Sequence, residues 1–208
     1  MRILFQLSFF FFPLLLFSQV EYYSFSNETQ FQVGFFITGK GCVNTVEPPQ
    51  GIKNDFQLSK TPDFGAKFSY KFKETETKLF VDISYLSAYM KYKLYNNPST
   101  NWISEFHYIN IGFGFEFSYF LLSLNFGLPT SGKFSLSPNF SINYDSKDLN
   151  SMLQIRIGTN IPIIKDKIGN LYFVVFADYF LVGALKQDNN YNPRIASLSL
   201  GLNYMFNL

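Results

Sequence analysis

The 208-residue chain contains one histidine and one cysteine, and its charged residues are few and scattered. His107 lies in EFHYINIG with Ser104 and Glu105 beside it. An imidazole can act as a general base, but a hydrolase also needs a placed nucleophile and an orienting acid. EFHYINIG shows neither in a recognisable pattern, so His107 reads as a rim histidine facing water. Cys42 has no second thiol to pair with and reads as an unpaired loop residue. No catalytic residue, cofactor site or metal site is assigned. The charges that stand out are Lys67, Asp82, Glu116, Arg156 and Asp178, together with Lys71, because all share the parity opposite to the apolar residues around them. A symmetric hairpin centred near Lys167 would set Arg156 beside Asp178. Such a network reads first as a polar filling and second as an ion pathway or proton relay, because buried charges persist when paired and hydrogen-bonded.

Those charges are held by strands. Apolar and polar residues alternate with the two-residue period of a half-buried strand in eight segments, expected near 31–38, 63–73, 78–92, 107–117, 120–128, 152–163, 171–182 and 194–208. In the fourth, Ile109, Ile111, Phe113, Phe115 and Phe117 alternate with Asn110, Gly112, Gly114, Glu116 and Ser118. The seventh, LYFVVFADYFLVG, is apolar on both faces except at Asp178. Long and short connections alternate, which in an up-and-down sheet gathers the long loops at one end and the tight turns at the other. Gly34, Gly65, Gly112, Gly114, Gly127, Gly158 and Gly201 fall on the polar parity, as a crowded barrel interior requires. The polar parity is therefore read as the inside. The stretch KFSLSPNFSINY also alternates and is expected to extend a hairpin above the membrane.

The fold class expected is all-β, an eight-stranded antiparallel up-and-down transmembrane β-barrel. MRILFQLSFFFFPLLLFSQV has an early positive charge, an apolar stretch and a small residue, Ser18, which is the pattern of an exported leader. Residues 1–18 are thus expected to be a signal peptide and 19–208 the barrel. No apolar run after residue 20 is long enough for a membrane-spanning helix. Aromatic residues make up 20% and charged residues 15%, with a net charge of +2, which gives no basic field for nucleic acid.

The leader, the eight segments, the loop alternation and the ending LNYMFNL resemble small outer-membrane barrels of Gram-negative bacteria, of the OmpX/OmpA-barrel type, and more closely the PorT-like barrels of the Bacteroidota. The aromatic near the end, Phe206, looks like the C-terminal signal read by the barrel-assembly machinery, although the last residue is Leu208. The resemblance implies location in the outer membrane, and outer-membrane lipids, lipopolysaccharide and the assembly machinery as partners. No periplasmic domain is expected after the barrel. The function expected is structural, in cell-surface interaction or as an accessory to an envelope complex. The alternatives are a lipid-modifying hydrolase at the external rim through His107, a narrow pore, and a soluble lipocalin-like barrel. The last should turn its apolar parity inward.

Overall fold

The computed structural model describes residues 31–48, 50–72, 75–97, 100–136, 140–186 and 192–208; the expected leader lies outside them. Eleven strands form one antiparallel sheet. Eight make the wall: β1 (Phe31–Asn44), β4 (Asp63–Lys71), β5 (Thr77–Leu94), β6 (Asn101–Phe117), β7 (Phe120–Leu136), β9 (Met152–Lys165), β10 (Gly169–Phe180) and β11 (Ile195–Asn207). The ring closes where β11 pairs with β1 from Gln32↔Asn207 to Asn44↔Ile195. At this seam a Cβ added to Gly201 would come within 2.7 Å of the Thr38 Cα, so the two backbones meet closely only because residue 201 lacks a side chain. Three short strands lie in the long connections: β2 (Ile52–Asp55) beside β5, β3 (Gln57–Leu58) beside β1, and β8 (Phe140–Asp145) beside β7.

The wall turns a band of Phe, Ile, Leu and Val outward. Phe35, Ile37, Phe64, Ile83, Ile109, Phe113, Leu124, Phe126, Leu200 and Leu202 are all exposed. Hydrocarbon offers backbone groups no hydrogen-bond partner, so a closed ring under an apolar belt is how strands cross a membrane. At about 3.3 Å per residue and a tilt of about 40°, the lipid-facing run from Ile109 to Phe117 rises roughly 20 Å, near the roughly 25 Å belt of outer-membrane barrels. The chain is an eight-stranded antiparallel up-and-down transmembrane barrel of the outer membrane.

Three strands run well past their expected ends. β1 extends to Asn44, β6 begins at Asn101, and β7 reaches Leu136 while pairing with β8. The cause is a change of phase. On β5 the outward apolar series Leu79, Val81, Ile83 stops at Tyr85, and above it Leu86, Ala88, Met90 and Tyr92 point inward while Ser87, Lys91 and Lys93 take the outward positions. On β6 the change falls between Tyr108 and Ile109. Tyr85↔Ile109 and Leu86↔Tyr108 are cross-strand pairs, so both strands invert at one height. On β7 an irregularity opposite His107 and Tyr108 takes in Thr130, carries Gly132 and Phe134 to the inside, and leaves Ser131 and Lys133 outside. The polar parity is the inside within the band, and the outside above it.

Candidate functional site

Within the band the lumen is filled. Arg156 and Asp178 are direct cross-strand partners, joined Nε to Oδ1 at 2.7 Å and Nη2 to Oδ2 at 3.4 Å. The Ser197 hydroxyl donates to the same carboxylate at 3.2 Å. Lys67 pairs with Glu116, which also accepts from Asn160 Nδ2 at 2.6 Å, and the ammonium lies 3.9 Å from the centre of the Phe80 ring. Asp82 is opposite Lys67 in register and receives weaker contacts, each 3.5 Å, from Ser84 and Asn110. Between these groups Phe80, Leu121, Val174 and Phe176 form an apolar layer, which explains why the β10 sequence is apolar on both faces. The cavity bordered by Lys67, Asp82, Arg156 and Asn203 is about 10 Å³, roughly room for one water. The five charged residues singled out by parity are thus brought into one lumen. Lys71 sits at its turn end and is half-buried.

Parity did not single out a further pair at the external end of the lumen, Lys40 and Asp63, joined at 2.6 Å with both side chains buried. Asp63 also accepts from the Ser87 backbone N–H at 2.9 Å. The signal was present, since Thr38 and Lys40 continue the inward series of β1, but a strand ending at residue 38 hid it.

Above that pair a second core closes the mouth. Cys42, Leu86, Ala88, Met90, Tyr92, Phe106, Tyr108, Leu149, Met152, Phe180, Ala184 and Ile195 pack together, all buried. Cys42 is therefore a wall residue with 0% exposure, not a loop thiol, because β1 continues through it. The loops cooperate in the closure: Leu149 bridges to Leu185, and Asn150 Nδ2 donates to the carbonyls of Gly183 at 2.8 Å and Leu185 at 2.7 Å.

Above the band, β2 and β8 widen the β5–β6–β7 part of the wall into a continuous five-stranded sheet. His107 lies within β6, not at its start, and points outward, half-buried, with its ring stacked on Tyr85 at 5.6 Å. Tyr85 stacks in turn on Phe64 at 5.5 Å, so an aromatic ladder marks the upper edge of the band. Ser104 points inward and is buried, out of reach of this face. Opposite His107 is Ser131, and the two border a cleft of about 660 Å³ with Glu105, Lys133, Asn143 and Asp145. Among the described residues no group of three or more His, Cys, Asp or Glu side chains could hold a metal ion.

No family model matches the chain, and no curated protein does. Solved structures with a similar strand arrangement include Neisserial surface protein A, at 11% identity and TM-score 0.43 over 88% of this chain and 100% of that one. Ail, the attachment invasion locus protein of Yersinia pestis, is 17% identical with TM-score 0.39 over 86% of this chain and 100% of that one. The outer membrane protein OprG from Pseudomonas aeruginosa is 10% identical with TM-score 0.39 over 89% and 100%. These are distant likenesses, and the assignment of the fold rests on the closed ring and its belt.

Proposed function

We infer that this barrel is non-enzymatic and that its working surface is external, serving an interaction at the cell surface or within an envelope complex. The observation that supports this best is the closed mouth. An apolar core seals the lumen above the charge network, while the chain extends five strands beyond the membrane as a sheet whose outer strands, among the described residues, are β2 and β8. Eight strands leave an interior that side chains can fill, and here they do. The lumen charges then act as paired filling and not as the lining of a pore. Kinship with PorT-like barrels belongs to the same proposal and is supported by the sequence pattern alone. Planar-bilayer recordings test it: the purified barrel should give no discrete conductance steps, and regular steps would move the reading to a narrow pore.

One observation favours a rim hydrolase as the second reading. Glu105 and His107 share the outward face of β6, and Ser131 is directly opposite His107. Against it, His107 Nδ1 is buried with no hydrogen-bond partner among the described residues, so none of their acids orients the ring. Mass spectrometry of the host's outer-membrane lipids separates the two readings.

A further inference from the structure

The external sheet ends in two unlike edges. β2, on one side, is IKND, and Lys53 and Asp55 guard it with charge. β8, on the other, is FSINYD, with no lysine, proline or bulge to discourage a further strand. Among the described residues it pairs with β7 alone, and none of them hydrogen-bonds the backbone of residues 140–144 along the outer edge. Phe140 and Ile142 share the inward face with Phe134, yet they are 54% and 42% exposed. Ser141 and Asn143 occupy the outward face. An edge that is unpaired and apolar on one face suits a strand that alternates in the same way.

β8 is itself such a strand. Antiparallel pairing with a second β8, centred on Ile142, would oppose Phe140 to Tyr144, Ile142 to Ile142 and Ser141 to Asn143. Apolar then meets apolar on one face, and polar meets polar on the other. The membrane decides where the second copy can be. Two copies in one membrane are related by an axis along its normal, so strands tilted by about 40° would cross at about 80° and could form no ladder. Two copies in facing membranes are related by an axis in the plane between them, which makes the strands antiparallel at any tilt. The reach is sufficient. Ile142 pairs with Phe134, which lies beyond Leu128 and the Thr130 irregularity on β7. The ladder therefore stands roughly 13–15 Å above the band, and two bands would lie roughly 25–30 Å apart, which leaves room for headgroup layers of about 5–8 Å on each side. Stable complexes engage about 20–30 residues a side, and a ladder over residues 140–144 engages far fewer. One pair is therefore weak, and it holds where many act in parallel between two surfaces.

We propose that β8 joins the barrel to a second copy of this chain in a facing outer membrane, as an adhesive contact between like cells. The proposal rests on the reading of the external sheet as the working surface. The test uses the full barrel in phospholipid vesicles reconstituted from detergent, with both orientations present, and light scattering follows clustering. Vesicles carrying the wild type should cluster with one another and leave protein-free vesicles out. Ser141→Lys with Asn143→Lys, and separately Ser141→Glu with Asn143→Glu, should each reduce clustering on the order of tenfold, because like charges are then opposed across many pairs. Both variants should keep their heat-resistant gel mobility, and vesicles of the two, when mixed, should cluster again. Single changes test the register. Ser141→Lys mixed with Asn143→Glu should cluster better than Ser141→Lys mixed with Ser141→Glu, which brings the same charges without opposing them. The pairing is overturned by a wild type that does not cluster, by equal clustering with protein-free vesicles, by a mixture of the double variants that does not recover, or by equal clustering of the two single-change mixtures. Conductance plays no part in these outcomes, so the pairing can fail while the external working surface stands, and regular conductance steps would overturn that reading whatever the vesicles do.

Discussion

Arg156 shows how much one inward side chain carries. It is buried against Asp178, with its guanidinium 4.7 Å from the Phe176 ring. Replacing it with Met leaves a buried carboxylate without its partner, a loss of roughly 3–5 kcal/mol. Arg156→Met should therefore lower the temperature at which the barrel loses its compact gel mobility, while membrane insertion continues. Asp178→Asn with Arg156→Met should recover much of the loss, since the uncompensated charge is what costs most. His107 is the contrasting case. His107→Ala removes one ring from the Phe64–Tyr85–His107 ladder and should leave the acyl-chain pattern of the host's outer-membrane lipids unchanged by mass spectrometry. An acyl chain retained only in the variant would instead assign catalysis to the Glu105–His107–Ser131 face.

At the scale of elements, orientation is the first thing to check. Single cysteines at Lys53 on β2 and Asn97 after β5 should be labelled in intact cells, and one at Thr75 in a turn should not. The reverse result would turn the barrel over. β2 itself is held to β5 partly by Asp55, which sits 3.0 Å from Lys93 and 3.5 Å from Lys91. Its hydrogen bond to Lys93 keeps the Asp55 carboxyl below the usual carboxylate range. A depressed folded-state pKa gives stability that is present above the unfolded value and lost as pH falls through the folded one. The amides of Lys53 and Asp55 should therefore lose protection from hydrogen exchange below about pH 4, and Asp55→Asn should show that loss already at neutral pH. The wall strands were legible in the sequence because a belt facing lipid forces strict alternation. The same alternation placed Arg156 beside Asp178, since a short turn fixes the register of its hairpin. Above Tyr85 and Ile109 the run of β5 and the hairpin extension over KFSLSPNFSINY were legible too, and what escaped was the exchange of faces there and the added length of β1 and β6. Leu86, Ala88, Met90 and Tyr92 are as regular a series as the one below them, but in the opposite phase. Only knowledge of where the membrane ends says that the strand continues while its faces exchange roles. The β6–β7 irregularity at Thr130 hides the same exchange on β7, because there the apolar residues keep one parity while the wall turns beneath them.

The whole molecule has two interiors, a polar one inside the hydrocarbon and an apolar one above it. Each is the reverse of its surroundings. Phe106 and Phe180 belong to the upper interior, and truncating either to Ala should cost about 3–5 kcal/mol in the external half, measured as earlier loss of its amide protection in urea with the band still intact in lipid. The two interiors cannot form together. Water has to lie outside the upper sheet for Leu86, Met90 and Tyr92 to gain by turning inward, so that core assembles only after its strands have crossed to the far side. Cys42, the chain's only thiol and fully enclosed there, then serves as a natural clock. During insertion into vesicles it should remain open to a thiol reagent after the band has gained its heat-resistant gel mobility, and become unreactive in a later, separate phase. A thiol protected before or together with that mobility change would mean that the upper core is carried ready-made through the membrane.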